Sequence, residues 1–281
     1  EQMLGEAGIL PSRPPAGPSG DPILQIENAV VRRSDGSPIV DDVSLTLHGS
    51  EIVAIYGLLG AGRTELFEYI FGARPGEGAV TLCGQSLDGL SIAERVEQKL
   101  LLVPEDRQRD GLFSNFQVGS NLSLSYLKKL TRFGLLSRLK EQDRISGMIA
   151  RLGIKARSGV TPINALSGGN QQKVVIGRCL MREPAALLLD EPSRGIDVGA
   201  RSEVFGIMRQ LSAQGVAVCF TTSDMMEALE IADRIVVMAG GRITADLAAD
   251  AVDQAILVRA SNGIAPAGFL QAQPMSARTA H

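Results

Sequence analysis

Short runs of apolar and β-branched residues alternate along the chain with longer runs of helical periodicity. The predicted strands are 23–31, 43–47, 52–56, 79–83, 100–103, 186–189, 216–221 and 234–238. The predicted helices are 63–71, 118–130, 141–152, 168–181, 200–213 and 224–232. Because strands that alternate with helices are typical of a parallel sheet, the pattern predicts an α/β fold. The runs AALLLD and VAVCFT lack polar alternation, which predicts strands buried on both faces in the middle of that sheet.

The same pattern divides the chain into a domain with two less regular ends. Residues 1–22 are rich in Pro and Gly, which predicts a linker, and 23–250 form the predicted domain. Within it, 112–181 holds three helical patterns and no clear strand, which predicts a helical subdomain. Residues 251–281 lose periodicity towards the end, which predicts a loosely ordered tail.

Composition removes several classes of function. The 281 residues carry 28 basic and 31 acidic side chains, a net charge of −3 that offers no basic surplus for nucleic acid. No apolar run approaches the roughly 18 residues of a membrane span. The three cysteines are far apart and one of the two histidines is the last residue, so the sequence predicts neither a disulfide framework nor a histidine-based metal site or triad. A reducing, cytoplasmic setting fits best.

A glycine-rich segment joins the predicted strand 52–56 to the predicted helix 63–71. Its residues are Gly57, Leu58, Leu59, Gly60, Ala61, Gly62, Arg63, Thr64 and Glu65. Glycines at such a junction let backbone N–H groups surround phosphate oxygens, and the helix N-terminus adds partial positive charge. The segment therefore predicts a phosphate-binding loop in which Thr64 supplies a hydroxyl to Mg²⁺. An ordinary strand-to-helix turn is the simpler alternative.

Arg63 departs from the usual pattern of this loop, which has lysine at that position. Arginine keeps the charge but replaces a compact ammonium with a wide planar fork, and the two are not interchangeable at a tight site. We expect nucleotide binding to survive and the positioning of the transferred phosphoryl group to suffer.

Two carboxylates, Asp190 and Glu191, follow the apolar strand 186–189. In a nucleotide-binding sheet this edge faces the phosphates, where Asp190 can hold the Mg²⁺ shell and Glu191 can polarise the attacking water. A solvated turn would have the same composition. The phosphate-binding loop upstream favours the functional interpretation, with Glu191 as the catalytic residue.

Residues 166–173 have the sequence LSGGNQQK and open the predicted helix 168–181. Ser167, Gly168 and Gly169 leave N–H groups at the helix N-terminus uncovered, which makes a potential anion site. An N-cap followed by glycines is also a common structural device, so the shape of the segment alone indicates little.

The motif LSGGN and its distance from Asp190 resemble the signature of the ABC-transporter ATP-binding domain. The resemblance to that domain extends over roughly residues 23–245. GLLGAGRTEL, PEDRQRDGL and LLLDEPSRGIDVGAR look like the second, C-terminal nucleotide-binding domain of sugar-importer ATPases of the ribose, galactose and xylose type. The resemblance implies a P-loop NTPase whose mainly parallel core sheet carries an antiparallel β subdomain and a helical subdomain. It also implies a first ABC domain in the same polypeptide, with the Pro/Gly-rich opening as the remnant of the connection.

The resemblance implies further site residues. Glu105 occupies the place of a glutamine that senses the γ-phosphate, so its carboxylate would contribute to the Mg²⁺ shell; a turn residue after Pro104 is the alternative. Asp197 matches the loop that contacts the opposing domain. Ser223 stands where most of these ATPases have a switch histidine, and capping of the following helix is the simpler interpretation.

The aromatic residue that stacks on adenine in this family is missing here. Val31, Arg32 and Arg33 occupy that region, which leaves one of the two arginines as a candidate stacking plane.

The family's chemistry implies what the chain would do. ABC domains act as a head-to-tail dimer with ATP and Mg²⁺ between them, so this LSGGN would complete the site of the first domain, while this P-loop lies in an altered site. The resemblance implies an ATP hydrolase that drives an integral-membrane permease for carbohydrate import, located peripherally on the cytoplasmic face of the bacterial inner membrane. For the isolated chain we expect weak nucleotide binding and very slow hydrolysis.

Two other functions are open at this stage. One is a soluble ABC ATPase of translation or DNA repair, although the long charged insertions or basic arms of such proteins do not occur here. The other is a regulatory module that binds ATP without hydrolysing it and acts by dimerising.

Overall fold

The computed structural model describes residues 20–132 and 135–266. Its strands are β1 Pro22–Arg32, β2 Pro38–His48, β3 Ile52–Gly57, β4 Glu77–Leu82, β5 Gln85–Ser86, β6 Leu100–Val103, β7 Thr131–Arg132, β8 Leu135–Leu136, β9 Ala186–Asp190, β10 Ala217–Thr222, β11 Arg234–Ala239 and β12 Arg242–Ala248. Its α-helices are α1 Arg63–Phe71, α2 Ile92–Glu97, α3 Val118–Ser123, α4 Leu127–Leu130, α5 Arg138–Arg151, α6 Gly168–Leu180, α7 Val198–Ala213, α8 Met225–Ile231 and α9 Gln254–Ser261.

Six strands form the core sheet in the order β12-β11-β3-β10-β9-β6. All neighbours are parallel except β11 and β12. Strands β9 and β10 are buried along their whole length, as their uninterrupted apolar runs predict. Because parallel strands present their carboxyl ends at one edge, the ends of β3, β9 and β10 meet there.

A second sheet is antiparallel, with the order β2-β1-β4-β5. Its apolar face, helix α1 and one face of the core sheet enclose a common hydrophobic core in which Phe67 is fully buried. The other face of the core sheet packs against α6, α7 and α8, with Phe205 and Phe220 at the centre. The predicted fold class, a P-loop NTPase fold of the ABC type, is confirmed.

Helices α3, α4, α5 and α6 all lie in the predicted helical subdomain 112–181. The region also holds the two-residue strand pair β7 and β8, where the sequence indicated no strand. Two residues per strand are too few to produce a detectable alternation. Across the described ranges, no helix is both long enough and apolar enough to cross a membrane.

The prediction of a loosely ordered tail at 251–281 is wrong for its first part, because α9 lies there. Asp253 caps this helix by accepting from the Ile256 N–H at 2.8 Å, and Leu257 and Ala260 are fully buried. The helix escaped prediction because its eight residues span only about two turns and give little periodicity. The later part, residues 267–281, lies outside the described residues, as do residues 1–19 of the predicted linker 1–22.

Candidate functional site

The glycine-rich loop joins β3 to α1 through close backbone contacts. A Cβ atom on Gly57 would lie 2.5 Å from the Met238 carbonyl oxygen. Gly62 is in the left-handed region at φ 95°, and a Cβ there would overlap the Ile39 carbonyl oxygen. No side chain caps the N-terminus of α1, so its first N–H groups are left for another acceptor. An uncapped N-terminus behind a glycine loop is chemically suited to an anion.

A cavity of about 760 Å³ opens beside this loop. The residues that line it are Leu59, Gly60, Ala61, Gly62, Arg63, Thr64, Glu65, Glu105, Glu191, Ser193, Arg194, Ser223, Asp224 and Glu227. The structure therefore brings most of the predicted loop together with the predicted Glu105, Glu191 and Ser223. Gly57 and Leu58 precede the lining residues in the same loop, and half of the Leu58 surface is exposed.

Arg63 and Glu191 form an ion pair within this cavity. The Arg63 Nη1 atom donates to Glu191 Oε1 at 2.8 Å, and the two side chains are only 7% and 14% exposed. Glu191 has a left-handed backbone, with φ 43°, and its N–H donates to Thr221 Oγ1 at 3.0 Å. The guanidinium expected to face phosphates thus contacts the predicted catalytic carboxylate.

Asp190 ends β9 and is almost completely buried. The hydroxyl of Thr221 donates to its carboxylate, as does that of Thr64. Burial raises the pKa of the Asp190 carboxyl and Glu191 raises it further, while the two hydroxyl bonds and the Arg63 charge oppose the shift.

The donor atoms around Asp190 suit Mg²⁺. The ion is typically held by one or two carboxylates together with substrate phosphates, and here the Thr64 hydroxyl and the Asp190 carboxylate lie in contact. Among the described residues, no cluster of three or more His, Cys, Asp or Glu side chains could hold a metal by itself. These residues fit an ion that arrives with a phosphate-bearing ligand.

Glu105 is paired with Arg194, which lies in the loop after β9. The guanidinium of Arg107 donates to the Arg194 and Gly195 carbonyl oxygens at 2.7 and 2.9 Å. The segment after β6 is therefore bonded to the loop after β9 through both a side chain and the backbone. The Glu105 carboxylate lines the cavity as predicted, but its ion-pair partner is a residue that the sequence analysis did not single out.

The predicted anion site at 167–169 has close packing around its glycines. Ser167 precedes α6 without capping it, and its hydroxyl accepts from Asn170 Nδ2 at 2.9 Å. A Cβ on Gly168 would lie 2.8 Å from Arg107 Nη2, and one on Gly169 would overlap the Ala200 Cβ. Among the described residues that line the cavity, none belongs to this segment.

Asp197 is also outside the cavity lining. Its side chain accepts from the Ala200 N–H at 2.9 Å and so caps α7.

Ser223 is exposed at the end of β10 and lines the cavity. The next residue, Asp224, caps α8, as the simpler interpretation predicted. The expected capping box does not form, because Glu227 is buried and accepts instead from Thr222 Oγ1 and Ser193 Oγ, both at 2.8 Å.

The two candidate stacking arginines do not reach the cavity. Arg32 pairs with Glu77 at 3.2 Å, and Arg33 donates to the Pro38 carbonyl oxygen at 2.9 Å. Neither is among the described residues that line the cavity.

Sequence reasoning missed Thr221, Glu227, Arg194 and Arg107. Thr221 could have been identified from the sequence, because the parallel register pairs it with Asp190 once β9 and β10 are taken as neighbours. Arg107 and Arg194 have partners that are distant in sequence, and Glu227 joins the nearby Thr222 to the distant Ser193.

A family model described as "ABC transporter" matches residues 40–194. The ribose import ATP-binding protein RbsA 2 of Rubrobacter xylanophilus is 43% identical over 224 residues, which cover 79% of this chain and 43% of that protein. The xylose import ATP-binding protein XylG of Photobacterium profundum is 42% identical over 239 residues, which cover 84% of this chain and 47% of that protein. The chain therefore spans less than half the length of these relatives.

Solved structures share the fold. An ATP-binding cassette of an ABC transporter in its ADP conformation has a TM-score of 0.72 at 22% identity, covering 85% of this chain and 95% of that one. A dimeric structure of a bacterial ABC transporter cassette has a TM-score of 0.70 at 22% identity, covering 81% of this chain and 99% of that one. The family model and the two importer relatives show that the chain belongs to the ABC transporter family.

Proposed function

We propose that the chain is part of the ATP-binding subunit of a carbohydrate importer and binds MgATP in the cavity beside the glycine loop. The observation that carries this proposal is the convergence of loop residues 59–65 with Glu105, Glu191 and Ser223 on one cavity of about 760 Å³. A cavity of this size is typical of small-molecule and cofactor sites. The names of the RbsA and XylG relatives support carbohydrate import, and the transported sugar is not encoded in this site.

Each residue of the cavity has a chemical task in this proposal. The loop N–H groups and the Arg63 charge would hold the triphosphate, while Thr64 and Asp190 would hold Mg²⁺. Bound Mg²⁺ neutralises charge that develops on the phosphate oxygens. Glu191 would polarise the attacking water, and Glu105 would orient water in the metal shell.

Hydrolysis at this site would be very slow, because lysine, glutamine and histidine of the family pattern are replaced by Arg63, Glu105 and Ser223. Loss of one preorganised electrostatic contact typically costs roughly 2.7–4 kcal/mol of barrier, so three altered contacts would slow turnover by several powers of ten.

A regulatory half that binds ATP without hydrolysis is the second candidate. The Arg63–Glu191 ion pair favours it, because a guanidinium bound to the carboxylate lowers the basicity available for polarising the attacking water. Phosphate release that stays at background while MgATP is bound would support this candidate.

A second ABC domain would complete both sites. Ser167, Gly168 and Gly169 would contact a nucleotide held by that domain, and Asp197 would contact its backbone across the dimer interface. The proposal is supported by the relatives, of which this chain spans less than half, and by the dimeric cassette structure. The gene sequence immediately upstream tests it, and a further ABC domain in the same reading frame is expected.

A second cavity, of about 900 Å³, is suited to a permease helix. Its lining includes Phe71, Val96, Leu102 and Arg178, between α1, the strand β6 and the helical subdomain. Glu105 lines both cavities, so a helix seated here would lie next to the nucleotide site. Docking at this cleft would place the chain peripherally on the cytoplasmic face of the bacterial inner membrane.

Binding of a fluorescent ATP analogue and release of phosphate from MgATP test the core of the proposal. We expect detectable binding of the analogue and very slow phosphate release. Glu191→Gln should lower the rate of phosphate release further. The exposed Glu230→Gln on α8 is the matched control and should leave both readouts unchanged. Absence of Mg²⁺-dependent binding would refute the nucleotide site, and fast release abolished by Glu191→Gln would refute the altered-site interpretation.

A further inference from the structure

The Arg63–Glu191 pair joins the two groups that the proposed chemistry needs to keep apart. Arg63 lies at the start of α1, and Glu191 follows β9, 128 positions further along the chain. Their 2.8 Å contact is formed by side chains that are 7% and 14% exposed, so water screens it weakly. A lysine ammonium would present a compact charge here, whereas the guanidinium presents a long planar fork.

The backbone around the pair holds it in place. Glu191 is in the left-handed region, which is unfavourable for a residue with a side chain, and its N–H is bonded to Thr221 Oγ1. Thr221 in turn bonds Asp190, and Asp190 receives the Thr64 hydroxyl from the residue next to Arg63. This network fixes the backbone of Glu191 beside the loop, where its carboxylate is within reach of Arg63.

We propose that Arg63 and Glu191 form a latch that nucleotide phosphates must open, so that phosphate oxygens and the Glu191 carboxylate compete for one guanidinium. This inference rests on the proposed function and deepens it, because it adds a regulatory contact to the same site. With the latch closed, Glu191 is held by Arg63. With phosphate bound, Arg63 changes partner and Glu191 is released towards the cavity.

The latch couples nucleotide binding thermodynamically to the release of Glu191 from Arg63. A change at Glu191 that weakens the ion pair therefore strengthens phosphate binding, by up to the same factor when the latch is predominantly closed. Arg63 acts here as a positioning residue for Glu191, and its effect is visible in affinity without any turnover.

Calorimetric titration of the 281-residue chain with Mg²⁺ and a non-hydrolysable ATP analogue tests the latch. Glu191→Gln removes the competing charge, and Glu191→Asp keeps the charge but shortens its reach. Both should bind the analogue more tightly than the unmodified chain, by roughly tenfold, which corresponds to about 1.4 kcal/mol. Asp224→Asn is the matched control: it removes a carboxylate that lines the same cavity, and the asparagine oxygen can still accept from the Met226 N–H at the start of α8, so it should give a clearly smaller gain.

A double substitution isolates the pair. In an Arg63→Gln background, Glu191→Gln should no longer increase affinity, because the competition has been removed. Glu191→Gln and Glu191→Asp are independent routes to the same state, and a cooperative thermal transition identifies the variants that fold.

The outcomes separate the two proposals. Equal or weaker binding by both Glu191 variants would overturn the latch while leaving nucleotide binding intact, and it would mean that the guanidinium bridges carboxylate and phosphate together. A gain matched by Asp224→Asn would also overturn the latch, because removal of any carboxylate from the cavity would then explain it. Failure of the unmodified chain and every variant to bind the analogue would overturn the proposed function and the latch with it.

Discussion

Two glycines of the loop between β3 and α1 have left-handed backbones but different surroundings. Gly60, at φ 81°, has no neighbour within 4 Å of an added Cβ, whereas at Gly62 an added Cβ would overlap the Ile39 carbonyl oxygen. The first position needs glycine for its dihedral angles alone, and the second needs it also for the close approach of β2.

We predict that Gly62→Ala lowers the free energy of unfolding by about 2–4 kcal/mol and abolishes nucleotide binding, because overlap adds to backbone strain. Gly60→Ala is the matched control and should cost about 1–2 kcal/mol, from the left-handed conformation alone. Urea denaturation measures both. Equal losses would show that β2 does not confine the loop.

Asp190 provides a pH-dependent prediction at the same scale. Its pKa is raised by burial, so the folded chain keeps the proton at pH values where the unfolded chain has lost it. This carboxyl therefore contributes stability below its ordinary pKa, and that contribution is lost as the pH rises through the raised value. We predict that Asp190→Asn, whose amide oxygen can still accept from the two threonines, is more stable than the unmodified chain at pH 7.

Thermal unfolding across pH checks this expectation. The advantage of Asp190→Asn should shrink as the pH falls through the raised value towards 3.8, the ordinary value for an aspartate, and should be constant at lower pH. A difference that is constant with pH would show that the substitution acts through packing and not through the charge.

Single residues also show where sequence reasoning stops. Most of the predicted loop residues meet Glu191 at one cavity, because glycine spacing and a strand end mark them locally. Glu105 and Ser223, which only the family resemblance indicated, line the same cavity. The contact of Arg63 with Glu191 could not be predicted, because it depends on which rotamers two distant residues select when no phosphate is near. Arg32 and Arg33 failed as stacking candidates because nearby loop atoms satisfy both guanidinium groups.

Among the elements, α9 shows how burial can define a helix that its sequence barely marks. The predicted strands and helices have strong apolar runs, and most occur close to their predicted bounds. The exceptions are β2, which begins well before the predicted strand 43–47, and the predicted helix 118–130, which is divided into α3, a 3₁₀ turn and α4. Strand β12 and helix α9 were not predicted, because β12 has polar residues at several positions and α9 is short. Their conformation depends on contacts with β11 and on the bond from Thr244 Oγ1 to the Ala260 carbonyl oxygen.

We predict that Leu257→Ala destabilises the chain by about 2–5 kcal/mol, because Leu257 is fully buried against the core sheet. Val258→Ala is the matched control on the same helix; this side chain is 46% exposed and its loss should cost less than about 1 kcal/mol. Chemical denaturation distinguishes them, and a small effect at Leu257 would mean that α9 frays from the sheet.

At the scale of the whole molecule, two arginines join the antiparallel sheet to the core sheet. Arg234 contacts Glu51 at 2.7 Å, Asp246 at 2.9 Å and the Thr46 carbonyl oxygen, and its side chain is 20% exposed. Arg242 contacts Asp41 at 2.6 Å, but its side chain is 54% exposed. Arg234 reaches the antiparallel sheet through the Thr46 carbonyl oxygen and Arg242 reaches it through the Asp41 carboxylate, at different depths.

We predict that Arg234→Ala costs about 3–5 kcal/mol, because it leaves two carboxylates without their cation in a poorly solvated place. Arg242→Ala should cost about 0–1 kcal/mol, since water screens the exposed pair. Denaturation at low and high salt measures both. Comparable losses would contradict the distinction between a buried and a screened connection.

The contact between Gly169 and Ala200 changes how inherited or selected variants of this protein should be interpreted. Any residue larger than glycine at position 169 would act as a wedge that pushes the start of α6 away from α7. A defect caused by such a variant would then arise from two misaligned helices, even in a chain that never meets a nucleotide. In a genetic screen, a loss of function caused by a substitution at position 169 therefore indicates a defect in helix packing before it indicates a defect in nucleotide chemistry.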